Sequence, residues 1–409
     1  MHKTICSFLS LILFAVIGSC NLQAQQYIDR SGDLGKINNA ITTAVPFLLI
    51  APDSRMGALG EAGVAILEDG NAQHWNPSKY LFSSKDAGIS LSYSPWLAGL
   101  HVNDIYHLYL SAYYNITEMN SLSFSLRFFS MGYMELTNDQ GGDAGSFKPH
   151  EFALDAAYSR MLIKDVFSMS VTGRFIFSKL SVPTINSQEI NPGIAGAADI
   201  SFFYTKKFRR GKLYDHNLNI GLSISNLGNK VSYSSDIERD FLPANFRLGF
   251  AYDMAFDQYS KLTLAFDINK LLVPTPPVYK TDSIGRVETD EHGDPIIEGD
   301  RKDPRKTSVA AAVFTSWGDA PGGFEEEMKE FILNFGLEYT YRELLSIRAG
   351  YFNEAKTKGA RKYMTFGVGI KYSVFAIDAA YILPVASRNH PLENTLRFTL
   401  SFDFDIKKN

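Results

Sequence analysis

One stretch of sequence decides the fold class: residues 167–178, which read FSMSVTGRFIFS. In an extended chain Phe167, Met169 and Val171 share one face, whereas Ser168 and Ser170 share the other. A period of two residues is typical of a β-strand whose faces meet different surroundings. The same alternation recurs in six further segments: Leu122–Phe128, Leu218–Ser225, Leu262–Asn269, Phe331–Thr340, Leu345–Tyr351 and Leu396–Phe404.

The length of these segments separates a membrane barrel from a soluble β-sandwich, which alternates in the same way. Many runs reach about 9–14 residues, the length that a tilted strand needs to cross hydrocarbon. Tyrosines gather at the run ends, as in an interfacial aromatic girdle: Tyr113, Tyr114, Tyr339, Tyr341, Tyr351 and Tyr372. No later apolar run approaches the roughly 20 residues of a spanning helix. The sequence therefore predicts an all-β fold, a transmembrane antiparallel β-barrel.

Fourteen strands account for the alternation between Gly88 and Phe404. Their predicted starts are Gly88, Asp104, Ser121, Glu151, Phe167, Gly196, Asn217, Ala244, Lys261, Lys329, Leu345, Lys362, Phe375 and Asn394. Connections after even-numbered strands are mostly short, and those after odd-numbered strands are mostly long. This arrangement is characteristic of bacterial outer-membrane barrels, whose short turns face the periplasm. One connection departs from the rule: Lys206–His216 is longer and basic, yet falls on the side of the short turns.

Charged residues fall on the strand face that is predicted to point into the barrel. Facing lipid at mid-depth, a basic side chain would cost about 2–4 kcal/mol. Inside the barrel such residues either pair with one another or contact water, and the sequence leaves both alternatives open. The residues concerned are Arg127, Arg174, Asp267, Glu338, Arg348, Lys371 and Arg397.

The N-terminus has the layout of a cleavable secretory signal. Lys3 supplies a positive charge, and the apolar run Ile5–Ile17 is too short to span a bilayer. Small and polar residues follow, so residues 1–24 are predicted to be a signal peptide that is cleaved after Ala24. The alternative is a lipoprotein cleavage box at Ile17–Cys20. Either reading places the mature chain outside the cytoplasm.

Composition excludes several classes of site. The last cysteine is Cys20, so the mature chain has no disulfide framework, no cysteine-bound zinc and no cysteine nucleophile. The histidines form no H-E-x-x-H motif, and no Ser/His/Asp arrangement rises above chance. A net charge of −4 does not favour a nucleic-acid partner. We therefore expect no enzymatic activity, no catalytic residue, no metal and no cofactor.

The segment before the strands, residues 25–87, does not alternate and is rich in glycine, alanine and proline. Its composition is too apolar for simple disorder. We interpret it as a hatch that plugs the barrel of residues 88–409; the alternative is a loose periplasmic tail. A structural motif is predicted within it, at Arg55, Gly57, Gly60, Gly63, Trp75, Asn76 and Pro77. Its glycines permit close backbone approach or positive φ, and Asn-Pro is a turn signal.

The stretch Pro46–Ala65, with its continuation His74–Tyr80, resembles the hatch of the FadL-like outer-membrane barrels. More closely, the chain resembles the PorV (LptO) family of the Bacteroidetes type IX secretion system. Three further segments carry the closer resemblance: Asn269–Pro277, Asp319–Phe324 and Glu327–Phe331. The chain departs from the wider pattern at Ser78, where alanine is usual, and in ending with Asp405–Asn409 rather than an aromatic residue.

The resemblance implies an integral protein of the cell outer membrane with a non-enzymatic role. Such proteins bind substrates that carry a C-terminal signal domain at the translocon barrel SprA (Sov). They deliver these substrates to the surface attachment complex that contains the sortase PorU, so the implied partners are these proteins and outer-membrane lipid. The alternative function is FadL-like transport of hydrophobic small molecules, which predicts an apolar cavity lined by Tyr109, Tyr113 and Phe129.

The longest predicted outer loop, residues 271–328, offers a surface for partners. Its first residues are apolar and rich in proline, which favours an extended path, and apolar residues return near its end. We expect Leu272, Pro274, Trp317 and Phe324 to contact a partner barrel or its cargo. The alternative is that these apolar flanks fold over the barrel mouth as a lid.

Overall fold

The computed structural model describes most of the chain after its first 38 residues. The described residues are 39–67, 69–96, 104–137, 142–180, 184–185, 188–189, 191–210, 214–233, 239–282, 286–291, 296–298, 303, 306–385 and 395–406. The expected signal peptide, residues 1–24, lies outside them, as does the first part of the expected hatch. Within the described residues, no helix is long and apolar enough to cross a membrane.

Fourteen antiparallel strands of the described chain close into one barrel. In chain order they are β1 (Ala87–Pro95), β2 (Ile105–Thr117), β3 (Asn120–Met131), β4 (His150–Ile163), β5 (Phe167–Lys179), β6 (Gly193–Arg210), β7 (Tyr214–Gly228), β8 (Asn245–Ala255), β9 (Ser260–Leu271), β10 (Ile332–Tyr341), β11 (Leu345–Asn353), β12 (Lys362–Tyr372), β13 (Phe375–Pro384) and β14 (Leu396–Phe404). The barrel closes where β1 pairs with β14, with Ala87 opposite Phe404. The predicted barrel of fourteen strands is confirmed, and each strand begins within three residues of its expected start.

The connections define the two ends of the barrel. Those after even-numbered strands span two to four residues, whereas those after odd-numbered strands span eight to sixty. Short turns mark the periplasmic end and long loops the outer end. The longest outer loop, residues 272–331, contains the two helices α1 (Val309–Thr315) and α2 (Phe324–Lys329). Two other outer loops carry short hairpins, Met134–Thr137 with Asp143–Phe147 and Thr184–Ile185 with Gln188–Glu189.

The segment Lys206–His216, which the sequence placed as a long connection among the short periplasmic turns, extends two strands. β6 and β7 keep pairing as far as Arg210 and Tyr214, so residues 211–213 alone connect them. The expectation of a longer connection at Lys206–His216 is therefore wrong. Most residues of this segment pair across the hairpin and so belong to the two strands. The rule of short periplasmic turns therefore holds.

The two faces of each strand meet different surroundings, as the alternation predicts. In β5, Val171 and Phe175 are exposed on the outside of the barrel, whereas Ser170 and Thr172 are buried inside it. Large apolar residues cover the outside of the other strands in the same way. Hydrocarbon contacts such a surface favourably, and polar residues inside remain free to bind one another or the hatch.

Residues 39–86, which we call the hatch, lie inside the barrel and run from its outer end to its periplasmic end. At the outer end, Lys358 Nζ donates to Asn39 Oδ1 at 3.0 Å. At the periplasmic end, the Asp86 amide donates to the Phe404 carbonyl at 3.0 Å. Between these points the hatch forms four short helical segments: Pro46–Leu49, Ser54–Gly57, Ala72–Trp75 and Pro77–Phe82.

Polar side chains of the barrel hydrogen-bond the irregular backbone of the hatch. Asp267 Oδ2 accepts from the amides of Gly63 and Val64 at 2.7 and 3.0 Å. Thr365 Oγ1 accepts from the Gly60 amide at 2.9 Å. At membrane depth an unpaired backbone group costs several kcal/mol, so these contacts explain why inward strand positions are polar.

Candidate functional site

The three glycines of the hatch motif lie where side chains would collide with the barrel or with the hatch itself. Gly60 has a φ of +64°, and a Cβ there would lie 2.5 Å from the Tyr351 amide nitrogen. A Cβ on Gly63 would lie 2.6 Å from the Trp75 ring, and one on Gly57 would overlap Arg397. Only glycine tolerates the backbone conformation and the close approach at Gly60.

The remaining motif residues shape the turn that leads from the hatch to β1. Trp75 is buried, and its Nε1 donates to Asp53 Oδ1 at 2.7 Å. Asn76 Oδ1 accepts from the Ser78 amide at 3.2 Å and so caps the helical turn that Pro77 begins. These contacts give the motif a structural role, and none of its side chains forms a reactive pair.

Arg55 connects the hatch to a chain of buried ion pairs on the barrel wall. Its Nη2 lies 2.7 Å from Glu338 Oε1, and Arg348 Nε lies 2.5 Å from the other oxygen of the same carboxylate. Arg348 Nη1 then lies 2.5 Å from Asp378 Oδ1. Removing one member would leave a buried charge unpaired, which costs about 3–5 kcal/mol.

Other inward charges also pair with protein groups rather than standing alone in water. Arg174 lies 2.6 Å from Asp155 and 2.9 Å from Asp199. Arg397 Nη2 lies 3.2 Å from Glu61 Oε1 of the hatch. Lys371 lies 3.7 Å from Asp403, and Arg127 donates to the Leu48 carbonyl at 2.6 Å. Arg174, Glu338, Arg348 and Arg397 therefore pair with opposite charges, whereas Arg127 and Asp267 hydrogen-bond the hatch backbone and the Lys371 side chain is 42% exposed.

The three inward aromatic residues of the transport alternative are buried by packing. Tyr109, Tyr113 and Phe129 are at most 8% exposed. Their neighbours are the Arg127 guanidinium over the Tyr109 ring at 5.4 Å, the Tyr80 ring stacked on Tyr113 at 4.4 Å and the Phe47 ring stacked on Phe129 at 6.4 Å. Two of these partners belong to the hatch, so the aromatic residues hold the hatch in place.

A buried ionic cluster fastens the base of the long outer loop to the barrel rim. Lys270 Nζ, at the end of β9, lies 2.6 Å from both Glu327 and Glu330. Lys358 Nζ, in the loop between β11 and β12, lies 2.9 Å from Glu330 and 2.6 Å from Glu326. The same Lys358 ammonium donates to Asn39, so loop, rim and hatch meet at one point.

Two acidic members of this cluster, Glu330 and Glu326, have a pKa below the usual value. Burial raises the pKa of Glu330, but hydrogen bonds from Lys270, Thr275 and Lys358 outweigh burial and leave the pKa below its usual value. The pKa of Glu326 is lowered in the same way, with Lys358 as the main opposing partner. Charge-assisted hydrogen bonds of this kind are about twice as strong as neutral ones.

Three carboxylates of this region lie as close together as the ligands of a metal ion do. Oxygens of Asp319, Glu327 and Glu330 all lie within 4.8 Å of one another. Lys270 Nζ contacts two of the three, and the Thr275 hydroxyl, which has one proton to donate, lies 3.0 Å from Asp319 and 2.6 Å from Glu330. The lysine and threonine supply the charge and donors that the carboxylates need, so we assign this group a structural role.

The four residues expected to contact a partner separate into two classes. Leu272 and Pro274 are buried, and Leu272 packs with Ala312 of α1 beneath the loop. Trp317 is 43% exposed and Phe324 is 80% exposed. The apolar start of the loop therefore anchors it, and residues near its end face outward.

The exposed part of the outer loop has a consistent apolar character. Phe314 at the end of α1 is 80% exposed, and Met328 in α2 is 51% exposed. The Trp317 ring rests on Phe246 of β8, with ring centroids 5.2 Å apart. Sequence reasoning did not single out Phe314 or Met328, although both follow the helical spacing that would have identified them.

Cavities lie at both ends of the hatch. The outer one has a volume of about 680 Å³. Its lining includes apolar side chains of the hatch and loops together with charged residues: Ile41, Leu49, Ile50, Trp96, Glu61, Glu354, Lys358 and Arg361. The periplasmic one, of about 150 Å³, is polar and includes Arg55, Lys261, Glu338, Arg348 and Lys371. Hatch residues line both, so the hatch lies between them.

Comparison with known proteins decides the family. The sequence model of the type IX secretion system protein PorV matches residues 35–278, more than half of the chain. The chain belongs to the PorV family. This PorV-family protein is therefore an outer-membrane component of the type IX secretion system, in agreement with its fourteen-stranded barrel. No curated protein matches the chain.

Solved structures that resemble this PorV-family chain share its fold at low sequence identity. A TodX monoaromatic hydrocarbon channel mutant, deltaS2S3, is 11% identical with a TM-score of 0.50, over 87% of this chain and 99% of that one. A Pseudomonas aeruginosa FadL homologue is 11% identical with a TM-score of 0.41, over 87% and 99% of the two chains. The likeness to the TodX mutant supports the barrel fold alone.

Proposed function

We propose that this PorV-family protein is the shuttle of its secretion system. In this role it binds substrates that carry the C-terminal signal domain as they emerge from the translocon barrel SprA (Sov). It then delivers them to the surface attachment complex that contains the sortase PorU. The role is non-enzymatic, since shuttling requires binding and release but no covalent chemistry.

One observation carries the proposal: the outer loop presents apolar side chains on a rigid base. Phe314 and Phe324 are each 80% exposed, although the loop that bears them is fastened by the cluster around Lys270 and Lys358. Large exposed apolar residues are the usual anchors of protein interfaces. A base that is already ordered lowers the entropy cost of binding at this loop.

The filled lumen also supports an outward-facing role. The hatch runs through the barrel and hydrogen-bonds its wall at membrane depth, for example through Gly60 and Gly63. Passing a folded or extended substrate through this barrel would require the hatch to leave. Binding on the outer loops requires no such change.

The test compares capture of partners by two variants of a tagged full-length protein. In Phe314→Ala/Phe324→Ala, we expect the co-purified translocon and signal-domain proteins to fall about tenfold or more, as for an interface anchor. The matched control is Tyr133→Ala, which removes an aromatic residue that is 67% exposed near a different outer loop. Unchanged capture by the double variant would refute the proposed binding surface.

A second candidate function, uptake of hydrophobic small molecules, is favoured by the outer cavity. Its volume of about 680 Å³ falls within the usual range for ligand sites, about 300–1,000 Å³. Ile41, Leu49 and Trp96 give it apolar walls. Recovery of a bound hydrophobic molecule from the purified protein, lost on Leu49→Arg, would favour transport over shuttling.

A further inference from the structure

The extended hairpin of β6 and β7 projects beyond the barrel wall at its periplasmic end. The last residue of β6 that pairs with β5 is Tyr204. On β7, which runs away from the periplasmic end, the residue nearest that end that pairs with β8 is His216. Residues 205–210 of β6 nevertheless continue to pair with β7. We call residues 206–210 and 214–216 the basic ribbon; the secretion role proposed above does not use it.

The ribbon continues the lipid-facing surface of β6. Phe202 and Tyr204 lie opposite Met169 and Phe167, on the outer face of the wall. Successive even-numbered residues of a strand share one face, so Lys206 and Phe208 continue that row. Lys206 is exposed, and Phe208 is 38% exposed.

The depth of these residues matches the headgroup layer of the membrane. A strand rises about 3.4 Å per residue and is tilted by about 40° in such barrels. Lys206 therefore lies about 5 Å beyond Tyr204 along the membrane normal, and Phe208 about 10 Å. The headgroup layer on each side of a bilayer is about 5–7 Å thick. Lys206 thus reaches the phosphates when Tyr204 lies at the interface.

The Lys206 ammonium lies beside an aromatic ring on this outer face, and further aromatic residues follow on the neighbouring strands. Lys206 Nζ lies 5.2 Å from the centre of the Phe208 ring. His216, opposite Phe208 on β7, lies next to Tyr252, with a distance of 3.3 Å between the Tyr252 hydroxyl and His216 Nδ1. Tyrosine and basic residues together are typical of a membrane interface.

The charge of the ribbon is opposite to that of the whole protein. Residues 206–210 and 214–216 contain four basic residues and one acidic residue, a net charge of +3, whereas the chain carries −4. Among the described residues, neither Lys206 nor Lys207 pairs with a carboxylate. Basic residues on an edge also protect it from pairing with other strands, but that function does not require aromatic residues beside them.

We propose that the basic ribbon binds anionic phospholipid headgroups of the periplasmic leaflet. Lys206 contacts the lipid phosphate, Tyr204 contacts the glycerol and upper acyl region, and the Phe208 ring packs against the Lys206 ammonium. Each basic residue near an anionic membrane surface strengthens binding about fivefold. The ribbon thereby fixes the depth and orientation of the barrel on the periplasmic side.

The experiment titrates the full-length protein with phosphatidylglycerol or phosphatidylethanolamine and counts bound lipids by native mass spectrometry. The wild-type protein should bind phosphatidylglycerol more tightly. Lys206→Gln should weaken phosphatidylglycerol binding by about fivefold and leave phosphatidylethanolamine unaffected. The control Lys280→Gln/Lys306→Gln removes two exposed lysines from the outer loop and should leave both lipids unaffected.

A second measurement needs no variant and so does not depend on its folding. Raising the salt concentration from 0.05 to 0.5 M should release phosphatidylglycerol from the wild-type protein, because exposed charges are screened over a shorter distance. Equal binding of the two lipids, or binding that neither salt nor the Lys206 substitution alters, would overturn the proposal. So would capture of an acidic periplasmic protein by the ribbon without any lipid preference.

Discussion

The hatch and the long outer loop are both irregular segments, but they are held in different ways. The hatch is enclosed by the barrel, and its backbone hydrogen-bonds inward side chains such as Asp267 and Thr365. Among the described residues of the outer loop, ionic contacts with Lys270 and Lys358 fasten its base, and Leu272 and Trp317 pack against neighbouring residues. Beyond that base the loop exposes Phe314 and other large apolar residues.

This difference separates a structural element from a binding element. Backbone amides of the hatch such as those of Gly60, Gly63 and Val64 are already hydrogen-bonded to the barrel, so new contacts there would require these bonds to break. The outer loop keeps its apolar side chains accessible while its position is fixed. Binding sites are commonly built in this way, on loops that a rigid scaffold holds.

Gly60→Val should have the largest effect. A β-branched residue at a φ of +64° is strained, and its Cβ would lie 2.5 Å from the Tyr351 amide nitrogen. We expect a loss of well over 4 kcal/mol, enough to displace the hatch or prevent folding. The fraction of protein that migrates as a folded, heat-modifiable barrel measures this.

The matched control is Gly318→Val in the outer loop. A Cβ there meets no atom within 4 Å, and its φ lies outside the strained region. This variant should fold as the wild type does. If the two variants lose the same amount of folded barrel, the hatch is not the more constrained region.

Lys270→Met should have the next largest effect, confined to the outer loop. The substitution leaves Glu327 and Glu330 without their shared cation, at a cost of about 3–5 kcal/mol. We expect hydrogen exchange to accelerate in residues 309–331 and to stay unchanged in the hatch. Faster exchange in the hatch as well would show that the two regions are not held independently.

Acidification should loosen the base of the loop. The pKa values of Glu326 and Glu330 lie below 4.5 in the folded protein. The unfolded loop therefore binds more protons as the pH falls below about 4.5, and stability is lost through this range. Asp319 acts in the opposite sense, because burial raises its pKa.

Exchange protection of residues 324–331, corrected for the intrinsic rate, should therefore decrease between pH 6 and pH 3.5. Glu330→Gln removes one of the carboxyl groups whose pKa is lowered. Exchange protection should then depend less steeply on pH. A pH dependence that is the same with and without Glu330 would assign the effect to other groups.

Phe314→Ala/Phe324→Ala should have the smallest effect on stability, within about 0.5 kcal/mol, because both side chains are 80% exposed. Its effect on partner capture should nevertheless be large. Measurement of the unfolding midpoint in urea, beside the capture assay, separates the two quantities. A clear loss of stability would indicate that these residues pack within the protein.

The barrel could be predicted from sequence because its features are local. Alternation along each strand and the length of each turn lie within about ten residues of chain, so the starts of β5, β11, β12 and β13 are predicted without error. The largest displacements, three residues, affect β6, β7 and β10, where long outer or extended segments adjoin the strands.

The outer site was harder to predict because its contacts join distant parts of the chain. The cluster brings Asn39, Lys270, Glu330 and Lys358 together, and no local pattern links them. An apolar segment such as Leu272–Pro274 looks the same in sequence whether it is buried or exposed. Its burial depends on α1, which follows some forty residues later.

The central claim is that partners bind the outer loop rather than the lumen. The most direct test places a photoreactive phenylalanine analogue at Phe324 in one strain and at Leu49, which lines the outer cavity, in another. The account predicts that Phe324 crosslinks to translocon or signal-domain proteins and that Leu49 does not. Protein crosslinks from Leu49 alone, with none from Phe324, would contradict it.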